Sequence, residues 1–186
     1  MKDFAALVKS RRSVRKFTDC QLTPEQVEVI LRAALMAPAS NHRNPWQFVV
    51  VEDKEMLAKL ASCKENGSAF IAGCTLAIVV SVNFMESDMW MEDATIAAAY
   101  MQLQAEDLGL GSCWCQIHGR YTENDTDAEQ YVRDLLNIPY QLGVLCIIGF
   151  GYKAEQQKSH DEGQLQWEKV HLDKFKMPDS VKEGGI

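Results

Sequence analysis

The chain has 186 residues, of which 47% are hydrophobic and 24% charged, and its net charge is −7. This length fits one domain, and the excess of negative charge argues against general nucleic-acid binding, which needs a broad basic surface. Residues 1–17 lack the apolar core of a signal peptide, and no run of eighteen apolar residues predicts a membrane helix. We therefore expect a cytoplasmic protein whose six cysteines stay reduced, mostly as small buried side chains.

Hydrophobic periodicity predicts helices that alternate with short strands. Helices are expected over residues 3–10, 23–37, 53–63, 87–108 and 127–136, and strands over 47–51, 76–82, 112–117 and 142–150. The second helix has the clearest start, because Thr23 is followed by Pro24 and by Gln26 at the capping-box position. The middle of the 87–108 helix is apolar nearly all round, which indicates a position in the core or between subunits.

A dense basic run precedes the second helix. Arg11, Arg12, Ser13, Arg15 and Lys16 place four cations and a hydroxyl within six positions. In an extended segment Arg11, Ser13 and Arg15 point to one side, and guanidinium and hydroxyl donors there suit a phosphate. A polyanion patch or a solvated face remains an alternative at this point, although the acidic remainder of the chain favours a local pocket.

No other motif supplies a complete set of catalytic groups. Gly149, Gly151 and Ala154 match the glycine-rich dinucleotide pattern, but no helix and second strand follow, so we reject it. Cys115 and His118 fit a thiol–imidazole pair less well than they fit a buried thiol and a loop histidine. The histidines and cysteines lack metal-ligand spacing, so we expect no metal. An anion anchor without its own acid, base or nucleophile is typical of a protein whose cofactor does the chemistry.

Four motifs together resemble the FMN-dependent nitroreductase superfamily in its short-chain form. They are residues 11–15, 37–48, 109–114 and 149–155, the last followed by Lys158. The resemblance implies an α+β fold with a central, mostly antiparallel sheet flanked by helices. It also implies an intertwined homodimer, with two FMN sites at the interface and one FMN-binding domain spanning residues 1–186. Residues 151–186 would form an extended C-terminal segment that wraps the partner subunit.

The same resemblance implies the residues that bind FMN. Those of the basic run and Lys158 would hold the phosphate and ribityl chain, a loop from the partner subunit would cover the site, and a later segment would follow the isoalloxazine edge near N5. Gly151 would lie beside the flavin. In full, the implied set is Arg11, Arg12, Ser13, Arg15, Pro38, Ala39, Ser40, Asn44, Trp114, Cys115, Gln116, Gly151 and Lys158.

The family chemistry implies hydride transfer from NADH or NADPH to flavin N5 and then, in a ping-pong cycle, to nitroaromatics, quinones or other electron-poor compounds. No protein side chain is expected to be catalytic itself. A non-catalytic flavin store or redox sensor, or a dehalogenating or flavin-modifying member of the superfamily, remains the alternative. Lys153 stands where the family often has proline, which predicts a looser turn there.

Overall fold

The computed structural model describes residues 3–176. Its helices are α1 (Phe4–Ser10), α2 (Pro24–Leu35), α3 (Lys54–Leu60), α4 (Trp90–Asp107) and α5 (Ala128–Leu136). Its strands are β1 (Trp46–Val51), β2 (Leu76–Asn83), β3 (Leu110–Gln116) and β4 (Leu142–Tyr152). Short 3₁₀ turns occupy Ser40–His42, Ala69–Gly73, Glu162–Gln164 and Trp167–Lys169. The structure has every helix and strand predicted, with ends displaced by a few residues.

Side chains next to the helix termini explain several of these ends. Thr23 and Gln26 form the expected reciprocal capping box at the start of α2. Asp53 and Asp127 cap α3 and α5 by accepting a backbone N–H three residues on. Helix α4 begins at Trp90 instead of residue 87, because the hydroxyl of Ser87 accepts from the N–H of Met89 and turns the chain.

The four strands form one antiparallel sheet in the order β1-β2-β4-β3. Strand β4 is therefore central, whereas β1 and β3 are the two edges. The register of β2 against β4 shifts between Val80 and Ser81, and Leu145 is the extra residue of the resulting bulge. This topology confirms the predicted α+β class and its antiparallel sheet.

The helices cover both faces of the sheet. Helices α2 and α4 pack on one face, where Ile30, Ala98 and Met101 meet Ile78 and Ile148 in a core without solvent exposure. Helices α3 and α5 cover the other face around Leu57 and Val132. Because both faces of β2 and β4 are covered, these strands are apolar almost throughout.

One side of α4 faces solvent. Its buried apolar residues are Ala94, Ala97, Ala98, Met101 and Ala105, whereas Ile96 and Tyr100 are exposed. The predicted apolar surface is thus divided between a core face and an outward face. No helix within residues 3–176 combines the length and apolarity needed to cross a bilayer.

The segment after β4 lies on the surface. Lys9 forms an ion pair with Glu162 at 2.8 Å, and the backbone N–H of His160 donates to the carbonyl of Lys9 at 2.9 Å. Beyond this anchor the segment exposes a series of large apolar side chains, namely Leu165, Trp167, Val170, Leu172 and Phe175. The predicted tail is present as far as residue 176, and its remainder, 177–186, lies outside the described residues.

Candidate active site

The basic run lies in an extended conformation along the end of β3. The N–H of Val14 donates to the carbonyl of Ser112 at 2.9 Å, and Ser13 bridges to Ser112 in parallel orientation. A few residues on, the N–H of Thr18 donates to the carbonyl of Tyr152 at 2.9 Å. These bonds fix the run against the sheet. The Val14 side chain is buried, and its two neighbours in sequence, Ser13 and Arg15, are exposed.

Two glycines allow this close approach. A Cβ at Gly111 would lie 2.8 Å from Cγ1 of Val14, and a Cβ at Gly151 would lie 2.9 Å from Cβ of Phe17. Real Cβ atoms essentially never come so close, so only glycine lets the run approach the sheet here. Gly151 thus lies under Phe17. The group that approaches this glycine closely is a residue that directly follows the protein's own basic run.

The cations of the run form a cluster with the tail. Nη1 of Arg12 donates to the carbonyl of Lys158 at 2.8 Å, which brings Lys158 beside the run although it is 146 positions away. Lys16 pairs with Glu155 at 3.2 Å. Within residues 3–176 no carboxylate forms an ion pair with Arg11 or Arg15. Their guanidinium groups are therefore available to an anion.

Ser13 and Arg15 both lie beside Cys113 of β3. Burial raises the pKa of the Cys113 thiol, and the positive charge of Arg15 and a hydrogen bond with Ser13 oppose this rise. The three groups are thus close enough to interact. The alternation of an extended segment puts Ser13 and Arg15 on the same side of the run, and both lower the pKa of the same thiol.

Beyond this contact, β3 is an open edge. The Ile117 N–H donates to the Leu145 carbonyl at 3.0 Å, whereas the Ser112 carbonyl faces the basic run. Because a strand alternates, the odd-numbered residues of β3 face β4, and the backbone groups of Trp114 and Gln116 face outward. No other strand within residues 3–176 pairs with these outward groups. The outward N–H groups of Trp114 and Gln116 thus have no strand partner in this part of the chain and are available to a planar heterocycle.

The three residues predicted at this edge have different positions. Nε1 of Trp114 donates to the side-chain oxygen of Gln116 at 3.0 Å, and both side chains are partly exposed. Cys115 is fully buried on the other side of the strand, where it contacts Cys63. A hydrogen bond from Cys63 lowers the pKa of Cys115 and raises that of Cys63. The outward backbone groups thus belong to Trp114 and Gln116.

The loop that contains Pro38, Ala39, Ser40 and Asn44 lies at the opposite edge of the sheet. It leads into β1, and β1 is three strand spacings from β3, roughly 14 Å. Within one chain the structure does not bring these residues to the basic run. The loop is strained, since Asn41, His42 and Asn44 have φ angles of 51°, 54° and 46°.

Asp93 holds this strained loop in place. One carboxylate oxygen accepts from the N–H of Ser40 at 2.8 Å, and the other accepts from the hydroxyl of Ser87 at 2.9 Å. The side chain is 2% exposed. The sequence alone explains Asp93 only by the dipole of α4, because Ser40, whose N–H it accepts, lies 53 positions earlier.

A model of the nitroreductase family matches residues 8–66 and 64–152. The chain belongs to the nitroreductase family. An FMN-dependent nitroreductase of Clostridium difficile superimposes with a TM-score of 0.90 and 42% identity, over 92% of this chain and 99% of that one.

Two further relatives support membership of the same family. A provisionally named NADH dehydrogenase/NAD(P)H nitroreductase of Archaeoglobus fulgidus is 30% identical over 180 residues, covering 94% of this chain and 100% of that protein. An FMN reductase (NADPH) of Bacillus subtilis is 26% identical over 167 residues, covering 79% of this chain and 64% of that protein. The family resemblance inferred from the four motifs is confirmed.

Two features of this nitroreductase-family chain were not anticipated. Lys153 forms a short ion pair with Glu106 at the end of α4, 2.6 Å between Nζ and Oε2, so the turn that we expected to be loose is anchored. His118 forms a pair with Glu129 at 2.6 Å instead of with Cys115. Sequence spacing could not reveal either pair, because the partners are 47 and 11 positions apart on different elements. Among residues 3–176, no group of histidine, cysteine or carboxylate side chains is arranged to bind a metal.

Proposed function

We propose that this chain is an FMN-dependent oxidoreductase. In this proposal a hydride passes from NADH or NADPH, by way of flavin N5, to nitroaromatic, quinone or other electron-poor acceptors in a ping-pong cycle. The observation that carries the proposal is the open edge of β3, which begins beside the available guanidinium groups of Arg11 and Arg15. The FMN and nicotinamide specificities named for the relatives support it.

The donor set of this site fits FMN. Arg11, Arg15 and Lys158 would meet the phosphate with positive charge, and Arg12 would hold the Lys158 segment in position. The hydroxyl of Ser13 suits the ribityl chain. The outward backbone groups of β3 suit the polar edge of the isoalloxazine ring, where N–H donors stabilise negative charge. Bound FMN would supply the hydride chemistry, and the protein would bind, orient and shield it.

A second copy of the chain would complete the site. We propose a homodimer in which the partner's loop, the counterpart of Pro38, Ala39, Ser40 and Asn44, covers the FMN, because this loop lies at the far edge of its own sheet. Exposed apolar surface supports the dimer. A cavity of about 430 Å³ lies among Phe4, Leu7, Ala33, Tyr100 and Leu103, and neighbouring Val8, Leu35 and Met36 are also exposed.

The tail would belong to the same interface. Its exposed apolar side chains, from Leu165 to Phe175, are not covered by any core formed within residues 3–176. We therefore propose that residues 1–186 form one FMN-binding domain, whose segment 151–186 wraps the partner subunit. A cytoplasmic location is part of this proposal, since NADH and NADPH are the expected electron donors.

The binding site is tested by changing Arg11→Ala and Arg15→Ala together. The purified double variant should lack the absorption of bound flavin, while the wild type should release FMN on denaturation. A matched control changes Arg32→Ala and Arg120→Ala, two exposed arginines of α2 and of the loop after β3. Full flavin occupancy in the Arg11/Arg15 variant would contradict the assignment.

Turnover and assembly are tested on the wild-type protein. Steady-state oxidation of NADH or NADPH should require menadione or a nitrofuran, and the lines of double-reciprocal plots should be parallel. Bound FMN without turnover would indicate a flavin store instead of an enzyme. Sedimentation should give a dimer, and an FMN-loaded monomer would refute the shared site.

A further inference from the structure

A largely buried carboxylate holds a partly exposed histidine at the end of the open edge of β3. Nδ1 of His118 lies 2.6 Å from Oε1 of Glu129. The other carboxylate oxygen of Glu129 accepts from the N–H of Val144 at 2.9 Å and meets Nη1 of Arg133 at 3.5 Å. Both oxygens are thus engaged, so the carboxylate is fixed and the imidazole is held through Nδ1. A carboxylate in this position keeps the proton on Nδ1 and leaves Nε2 for exchange.

The backbone directs His118 outward. The carbonyl of Leu145, the bulge residue of β4, accepts from the N–H groups of both Ile117 and His118. Because one carbonyl accepts both bonds, the regular pairing of β3 with β4 ends here and the chain turns at His118. Bulges such as the one at Leu145 commonly lie next to active sites. The His118 side chain is 40% exposed, whereas that of Glu129 is 12% exposed. The hydrogen bonds of the ring within residues 3–176 involve Nδ1 alone.

His118 is also connected to the edge that we assign to the flavin. The side-chain amide of Gln116 donates to the His118 carbonyl at 3.1 Å, and Gln116 accepts from Trp114. The imidazole meets Trp90 edge to face at a centroid distance of 5.0 Å. A continuous row of partly exposed side chains thus runs from Trp114 to His118. Its last member is an imidazole, whose ring nitrogens can donate and accept protons.

Resting on the proposed function, we propose that His118 is the acid that protonates the electron acceptor, with Glu129 as its positioning residue. Two-electron reduction of a quinone to a hydroquinone consumes one hydride and one proton. The hydride carries both electrons. The proton leaves Nε2 of the imidazolium and forms an O–H bond on the acceptor, while the electron pair of the broken N–H bond stays on the ring. Water then returns a proton to Nε2.

The first test compares acceptors that differ in their need for a proton. His118→Phe keeps an aromatic ring beside Trp90 and removes the proton. After NADH has bleached the bound flavin, menadione should restore the flavin absorbance about 100-fold more slowly in this variant than in the wild type. This factor is the low end of the effect expected when a general acid is lost. Ferricyanide accepts electrons without a proton, so its rate should stay unchanged. Equal menadione rates in both proteins would overturn the proposal.

The second test uses the FMN-free protein and measures no activity. Imidazole nitrogen shifts from ¹⁵N NMR should show His118 of the wild type with hydrogen on Nδ1. Glu129→Gln should remove this preference, and Glu123→Gln, which changes an exposed loop carboxylate, should leave it in place. A His118 with hydrogen on Nε2 alone in the wild type would also overturn the proposal.

The two proposals fail in distinguishable ways. A wild-type protein that binds no FMN, or whose flavin NADH does not bleach, would refute the proposed function. A wild type that turns over normally, with His118→Phe as fast as wild type toward menadione, would refute the role of His118 alone. Thermal melting and FMN occupancy of each variant establish that it is folded. If Glu129→Gln unfolds, the acceptor comparison on His118→Phe still decides.

Discussion

Substitution of Gly111 by alanine should displace the basic run without removing a charge. The new Cβ would lie 2.8 Å from Cγ1 and 2.9 Å from Cβ of Val14. Val14 cannot yield by rotation alone, because its side chain is buried, its β-branched rotamer is stiff and its N–H is bonded to Ser112. Ordinary contact begins at 3.4 Å, so the backbone of Val14 must move by at least 0.6 Å, the difference between 3.4 and 2.8 Å.

Such a shift has two measurable effects. Overpacking of this kind costs about 1–3 kcal/mol, which corresponds to a fall in melting temperature of roughly 2–12 °C for a chain of this size. Ser13 and Arg15 flank Val14 and move with it, and a displaced charge-assisted hydrogen bond loses about 1.5–3 kcal/mol. The dissociation constant for FMN, measured by fluorescence quenching, should therefore rise roughly 10- to 100-fold.

Gly143→Ala is the matched control. Its Cβ would meet Phe84 and Trp90 at 3.6 Å, an ordinary contact distance. This variant should bind FMN as the wild type does and melt at nearly the same temperature. The reasoning would be refuted if Gly111→Ala bound FMN with wild-type affinity, or if both variants lost affinity equally.

Three further predictions concern buried polar groups and thiols. Glu106→Gln deprives the Lys153 ammonium of its carboxylate and should destabilise the fold by about 3 kcal/mol in urea titration, since one member of a largely buried pair is lost. Asp93→Ala leaves the N–H of Ser40 without its acceptor and should weaken FMN binding in the dimer by about tenfold, measured by fluorescence quenching. In the native protein one thiol, Cys20, should react with a disulfide reagent, because the other five are buried and burial raises the pKa of most of them.

Each of these has its own control. Replacing Glu106 and Lys153 together by methionine should recover much of the lost stability, and a double variant as unstable as Glu106→Gln would count against the pair. Glu92→Ala, an exposed acidic residue beside Asp93, should leave FMN binding unchanged, and equal losses in both would point to the helix dipole instead. Rapid reaction of several thiols before unfolding would show that the described core is not closed.

Periodicity and capping in the sequence predicted the elements well, because both are local. The capping box of Thr23 and Gln26 and the apolar runs of β2 and β4 need no distant partner to be recognised. The basic run was recognisable for a similar reason, since the density of four cations is itself the signal. The start of helix α4 was predicted three residues too early, because the turn that Ser87 makes with the Met89 N–H leaves no periodic signal in the sequence.

The sequence by itself thus determined the helices, the strands, the anion anchor and the family of this protein, because each rests on residues close in the chain or on motifs in a fixed order. Only the tertiary structure decided how they meet. It placed Lys158 beside Arg12, opened the edge of β3 next to Arg11 and Arg15, and moved the loop at residues 38–44 to the opposite edge of the sheet. It also paired His118 with Glu129. Such contacts depend on strand order and a single bulge, which no local pattern in the sequence specifies.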